Sequence, residues 1–356
     1  MASHSDSWRE ARLRPELKFL QPYVAGKGFG EISRKYGLLP ADIVKLGSNE
    51  NPYGPSPRAK EALASVAMER YPEPEELLAG LASYTGFPED MILLGAGMDG
   101  VMDTLTRIFL DSGDASFIPT PTFSYYEILT IMASARPIFS PRGERHELTE
   151  VVPARAKMAF ICSPNNPTGN VIGEQELRAM LESTDALVFL DEAYVEFAER
   201  SLIHLVREYD NLIVGRTLSK AFGLAGMRLG YALAPNWIAE QYRRAAPPFY
   251  GISSASAAAG AAALSDLPFM RRSVQNIVSE REKLVKEIGC DASQANFLYL
   301  RTELPSDQFA ERFLCQGIII RDCRSFRGAG EHQVRVTVGR PEENQRFLSA
   351  YQEICR

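Results

Sequence analysis

From Asp42 onward the chain alternates short apolar runs with stretches in which apolar residues recur every three or four positions. Residues 92–94, 158–162, 186–190 and 212–214 are continuous apolar runs of strand length, and 230–234 is another. Runs without polar alternation predict strands covered on both faces. Between them, 101–110 and 174–181 carry apolar residues at helical spacing and predict helices. This order predicts an α/β fold, a mostly parallel central sheet flanked by helices. The C-terminal pattern differs. A helix over 267–288, a strand at 296–300, a helix over 307–316, strands at 317–321 and 333–338 and a final helix predict a smaller α+β unit. The Ala-rich stretch 255–264 predicts a tightly packed helix, too short to cross a membrane. The first forty or so residues, interrupted by Pro15, Pro22 and the Gly-rich stretch 26–30, predict an arm that packs on something else. The expected division is an arm over 1–44, a large unit over 45–255 and a small unit over 256–356.

Length and composition agree with two units. The chain has 356 residues, 45% hydrophobic and 24% charged, enough to bury a core without staples. Lys plus Arg number 39 against 45 Asp plus Glu, a net charge of −6, which argues against a generic nucleic-acid surface. Any anion must therefore be held by a local cluster of donors. The five cysteines, Cys162, Cys290, Cys315, Cys323 and Cys355, are odd in number and lack C-x-x-C spacing, so a reducing compartment is expected. The first residues lack the apolar core of a secretory signal, and a cytoplasmic protein is expected. His4, His146, His204 and His332 show no metal-ligand spacing, and no metal is expected. Arg324 and Arg327, beside Phe326, read either as a nucleic-acid patch or as a loop over a binding site.

Polar clusters follow the apolar strands, where open α/β sheets bind ligands. Lys220 sits among Thr217, Ser219 and several glycines, with Arg228 eight positions on. Two hydroxyls and a guanidinium suit a phosphate, although a lone lysine more often faces solvent. Asp191 ends a strand and either caps the next turn or faces a cleft and needs a cationic partner. Tyr194, three residues on, can point back into the same cleft. Ser163-Pro164-Asn165-Asn166-Pro167-Thr168-Gly169 is a rigid turn, which is either structural or holds Asn166 at the cleft edge. Gly95-Ala96-Gly97-Met98-Asp99-Gly100 opens a helix, where amides and the helix dipole favour an anion, but it matches no nucleotide fingerprint.

Taken in this order, Asn-Pro-Thr-Gly at 166–169, Asp-x-x-Tyr at 191–194 and the lysine loop with its downstream arginine resemble the pyridoxal-phosphate (PLP) aminotransferases of the type I fold, classes I and II. The resemblance extends over 20–27, 48–57, 70–72, 191–197, 217–230, 320–322 and 334–339. Within that family it is similar to the histidinol-phosphate aminotransferase subfamily. It implies transamination of histidinol phosphate with 2-oxoglutarate by a homodimer, in histidine biosynthesis. An aromatic amino-acid aminotransferase or a threonine-phosphate decarboxylase is the alternative within the subfamily. The resemblance makes Lys220 the lysine that bonds to the cofactor and moves the substrate proton. It makes Asp191 the partner of the ring nitrogen, and Tyr194 and Asn166 donors to the ring hydroxyl. Phe123 matches the ring-stacking aromatic. Gly97, the amides of Met98 and Asp99, Thr217, Ser219 and Arg228 match the phosphate cup, which Tyr71 of a neighbouring subunit completes. Arg335 resembles the arginine that grips a substrate carboxylate, with Arg321 and Tyr23 as further substrate contacts. Three positions depart from the pattern. Met98 replaces a small polar residue, Phe123 replaces a tyrosine and Gly100 replaces an acidic residue, so substrate preference stays open. The partners implied are small molecules, with neither nucleic acid nor membrane.

Overall fold

The computed structural model describes residues 6–24 and 26–355. Residues 1–5, Ala25 and Arg356 lie outside it, and with them His4, the start of the arm and the last residue of the small unit. Twelve strands occur among the described residues: β1 (Val44–Lys45), β2 (Ile92–Ala96), β3 (Ala115–Thr120), β4 (Arg136–Pro141), β5 (Met158–Cys162), β6 (Leu187–Asp191), β7 (Leu212–Thr217), β8 (Leu229–Leu233), β9 (Phe297–Arg301), β10 (Ile318–Ile319), β11 (Arg321–Asp322) and β12 (Gln333–Thr337). Seven of them form the central sheet, in the order β2-β8-β7-β6-β5-β3-β4. β8 runs antiparallel to β2 and β7, and the other neighbours pair in parallel. Every residue of β5, β6, β7 and β8 is buried, as their uninterrupted apolar runs predict.

The sequence reading passes over β3 and β4. Pro119, Pro137 and Pro141 lie in them, and proline disfavours a central strand. β4 tolerates its two prolines because it is the sheet edge, and β3 meets β5 only at Ser116 and Phe117, short of Pro119. The run 317–321 also departs from expectation. It is not one strand: Ile318–Ile319 pairs in parallel with Val44–Lys45, whereas Arg321–Asp322 pairs antiparallel with β12 in the sheet β11-β12-β9.

The helix Leu267–Ile288 buries Met270, Val274, Ile277 and Leu284 at helical spacing, and its Arg281 donates to the carbonyls of Phe197 and Ala295. The Ala-rich helix Ser254–Leu264 packs on helices Pro57–Ala64 and Glu75–Thr85. From the arm, Ile32 packs with Ile43, Leu314 and Ile319, and Lys35 bonds to Glu311 at 3.0 Å.

One close approach holds the start of β8 against the turn that leads from β2 into the helix Gly97–Phe109. That helix begins four residues before the expected start at Val101, because Gly97, at φ +77°, turns the chain sharply out of β2. Gly230 of β8 faces this turn, and a Cβ there would lie 2.0 Å from the Met98 nitrogen. Gly230→Ala is therefore expected to destabilise the protein by roughly 3 kcal/mol through overpacking. Gly226→Ala, with nothing within 4 Å of its Cβ, is expected to be near neutral. Urea denaturation of the two variants checks the contrast, and equal midpoints would remove the packing argument.

Candidate active site

The strand ends enclose a cavity of about 240 Å³, lined by residues from the central sheet, the arm and the three-stranded sheet. β6 ends on Asp191, β7 on Thr217 and β5 on Cys162, so three side chains from three strands reach the same wall. Most of the residues singled out from the sequence line it: Tyr23, Met98, Asp99, Phe123, Asn166, Asp191, Tyr194, Thr217, Ser219, Lys220, Arg228, Arg321 and Arg335. Two do not. Gly97 lies just behind Arg228. Tyr71 is 78% exposed and stacks on Phe249 at 4.9 Å, outside this cavity.

Asp191 is 2% exposed. Burial raises its carboxyl to about 6, opposed by a hydrogen bond from the Tyr126 hydroxyl and another from the Ala193 N–H at 2.9 Å. Two donors leave the carboxylate with lone pairs for a cationic partner in the cavity. The open alternative for Asp191 thus resolves toward the cleft, while one of its oxygens also caps the turn at Ala193. Burial and the Arg335 charge lower the Lys220 ammonium to about 8. Its Nζ lies 3.5 Å from the Ser48 carbonyl oxygen and 5.6 Å from the centre of the Tyr194 ring.

One end of the cavity is an anion cup. Thr217 and Ser219 hydroxyls lie 3.0 Å apart, and the amides of Met98 and Asp99 open a helix without intrahelical acceptors. Arg228, at φ +50°, extends its guanidinium to the Asp99 carboxylate at 2.7 Å. Met98 turns inward instead of into the cup: its sulfur would be 2.9 Å from a Cβ on Gly215. On one wall, Phe123 makes edge contacts with Tyr23 and Tyr126, at 6.1 and 5.5 Å.

The opposite wall is cationic. Arg321 and Arg335 face each other across β11 and β12. Arg335 is 6% exposed; it donates to the Asn166 side-chain oxygen and, at 2.9 Å, to the Gly47 carbonyl. Its Nε is buried without a hydrogen-bond partner, and it has no carboxylate partner among the described residues. A buried guanidinium in that state calls for an anion. Arg321 donates to the Val24 carbonyl at 2.7 Å and to Ser325, tying the arm across the cavity. Phe326 completes this wall, while Arg324 pairs with Asp307 and Asp322, and Arg327 with Glu127. The 324–327 segment is thus a paired loop over the cavity.

Sequence reasoning missed Asn49 and Tyr126. Asn49 lies in the segment 48–57, and Tyr126 three residues after Phe123, so each sits beside a residue already singled out.

No described helix is long and apolar enough to cross a membrane. Residues 41–350 match the family model described as aminotransferase class I and II. A histidinol-phosphate aminotransferase of Methanosarcina mazei is 46% identical over 357 residues, covering 97% of each chain. Another, from Archaeoglobus fulgidus, is 46% identical over 88% of this chain and 99% of its own. The crystal structure of a histidinol-phosphate aminotransferase from Sinorhizobium meliloti in complex with pyridoxal-5'-phosphate superposes with a TM-score of 0.83, at 24% identity, over 97% and 98% of the two chains. With a match over most of its length and a site whose lysine, aspartate and arginines converge on one cavity, the chain belongs to the class I and II aminotransferase family.

Proposed function

We propose that the protein is a PLP-dependent transaminase that converts L-histidinol phosphate and 2-oxoglutarate to imidazole acetol phosphate and glutamate. The observation that carries the reading is the buried Arg335, with its unpartnered Nε, across the same cavity from Lys220. The residues present fit the cofactor. Asp191 offers a buried carboxylate to a ring N–H, Phe123 offers an aromatic face, and the turn of residues 97–99 with Thr217, Ser219 and Arg228 offers a phosphate cup. When bound, the pyridinium ring supplies the electron sink for the pair left at the substrate Cα.

The chain's own groups do the rest. Lys220, its ammonium lowered to about 8 by burial and by Arg335, takes the proton from the substrate Cα through its free amine. Asp191 keeps the ring nitrogen protonated. Its own carboxyl, raised only to about 6, stays charged at neutral pH because Tyr126 and the Ala193 amide hold it. Asn166 spends its oxygen on Arg335 and so presents its amide N–H to the cofactor side. Arg335 grips the carboxylate of glutamate or 2-oxoglutarate. Arg321 and the Tyr23 hydroxyl form the rim that meets the distal phosphate or side-chain carboxylate. We take 45–255 as the cofactor-bearing unit, with 256–356 bringing the arginines. The active unit is a homodimer in which Tyr71 reaches the partner's phosphate cup. Tyr71 and Phe249, stacked on each other and both exposed, present an apolar surface suited to that contact.

Three outcomes test this reading. In the cofactor-free enzyme, acetylation of Lys220 is expected to rise through a midpoint near pH 8, below the value of ~10.4 for ordinary lysines. Arg335→Gln is expected to move that midpoint upward, since the Arg335 charge disfavours the ammonium. Peptide mass spectrometry reads both, and an ordinary midpoint for Lys220 would overturn the assignment. Arg335→Ala is expected to slow the glutamate half-reaction by on the order of 30-fold or more in kcat/KM, the loss of a buried charge-assisted contact. Single-turnover absorbance with each donor separately measures it. Phenylalanine or tyrosine reacting far faster than histidinol phosphate in the unmutated enzyme would replace the substrate assignment with an aromatic one. Finally, a mixture of Tyr71→Phe and Lys220→Ala subunits is expected to exceed the mean activity of the two parents, because the heterodimer holds one site free of both changes. A fully active monomer by sedimentation would exclude the shared site.

A further inference from the structure

We propose that Asn49 is a positioning residue that turns the Tyr194 hydroxyl proton toward the cofactor's ring oxygen and so sets the protonation of the Lys220–cofactor linkage. The proposal rests on the reading of Tyr194 as a donor to that oxygen. Asn49 is 1% exposed and adopts φ +54°, in the left-handed region that asparagine and glycine tolerate best. Its backbone N–H donates to the Thr337 hydroxyl at 2.9 Å, and Asn296 donates to its carbonyl at 3.1 Å. The Thr337 oxygen already accepts from the Asn49 N–H, so its own proton goes to the Asn49 side-chain oxygen at 3.2 Å. That fixes which way the amide faces: the oxygen toward Thr337, and the NH2 toward Tyr194, whose hydroxyl oxygen it meets at 2.9 Å.

The consequence lies at the Tyr194 hydroxyl. Its oxygen accepts from Asn49, so its single proton is left for an acceptor on the cavity side. Accepting one hydrogen bond also makes a hydroxyl a stronger donor through it. A ring oxygen receiving that proton carries less free negative charge, and the neighbouring lysine–cofactor linkage then gives up its proton more readily. Without the Asn49 amide, Tyr194 loses both its orientation and part of its donor strength. The linkage should then hold its proton to higher pH.

The test is a pH titration of the visible absorption of the holoenzyme. Asn49→Gly keeps the left-handed backbone and deletes the side chain, both the amide NH2 that meets Tyr194 and the oxygen that meets Thr337. It is expected to move the spectral midpoint upward by about half to one pH unit, the scale of one hydrogen bond. Asn49→Asp retains the side-chain shape but turns the donor into an acceptor that draws the Tyr194 proton away, and is expected to move the midpoint at least as far. It is also the second route should the glycine variant fold poorly. Tyr194→Phe is expected to move the midpoint further, and adding Asn49→Gly to it should bring no additional shift, because the amide acts only through the hydroxyl. A merely structural role would lower the melting temperature of the Asn49 variants and leave their midpoint in place. A shift with Tyr194→Phe but none with either Asn49 variant, or additive shifts in the double variant, overturns the proposal. If Tyr194→Phe itself leaves the midpoint unmoved, the donor role of Tyr194 fails, and the role of Asn49 falls with it.

Discussion

One cavity is lined by four cations, Lys220, Arg228, Arg321 and Arg335, and much of the site's behaviour follows from the lysine and the last arginine. Lys220 and Arg335 approach from opposite walls, one from the loop after β7 and the other from β12. Their repulsion is resolved on the lysine, because an ammonium can shed its proton and a guanidinium cannot. The Arg335 charge therefore does two things at once. It lowers the Lys220 ammonium, so that the free amine is reached nearer neutral pH, and it leaves an unmet demand for an anion at the buried Arg335 Nε. A carboxylate placed against Arg335 would weaken the repulsion on Lys220 and make its amine more basic.

On the other side, Asp191 faces the converse problem. Buried at the end of β6, its carboxyl would drift toward the neutral form. Tyr126, itself fully buried and stacked on Phe160 at 4.9 Å, supplies a hydrogen bond that opposes the shift. Behind it, Arg216 and Glu192 form a buried ion pair at 2.8 Å that also engages Ser201, fastening the residue next to Asp191. The strand end is rigid because its polar groups are satisfied by neighbours outside the cavity. The cavity-facing lone pairs of Asp191 are what remains.

The sequence made the sheet centre legible and the site's supporting bonds opaque. β5, β6 and β7 announce themselves because burial on both faces admits only apolar residues, and the polar residues at their ends mark the ligand side. β3 and β4 stayed hidden because proline is read as a breaker, and only the edge position of β4 makes it harmless. The strand at 317–321 was read whole because Ile318 to Ile320 is uniformly apolar. What splits it is the arrival of Val44–Lys45 on one half and β12 on the other, a tertiary event with no local signal. Lys220, Asp191 and Asn166 could be named because each sits in a motif beside a strand end. Asn49 could not be assigned a role, since its three side-chain and backbone partners, Tyr194, Asn296 and Thr337, lie 145, 247 and 288 positions away.

Those distant partners show how the two parts of the chain act as one site. The segment leaving β1 receives a bond from Thr337 at the Leu46 carbonyl, one from Arg335 at Gly47, and the approach of Lys220 at Ser48, before Asn49 reaches Tyr194. Four consecutive residues thus touch β12, Lys220 and Tyr194. Any shift of β12 would pull on the same short segment that bonds to Tyr194. Backbone carbonyls are the right partners for such a link, because they accept from both cations without adding a charge that would pair with either. A carboxylate at 47 or 48 would neutralise Arg335 and raise the Lys220 pKa together, removing the demand for substrate and the free amine in one step.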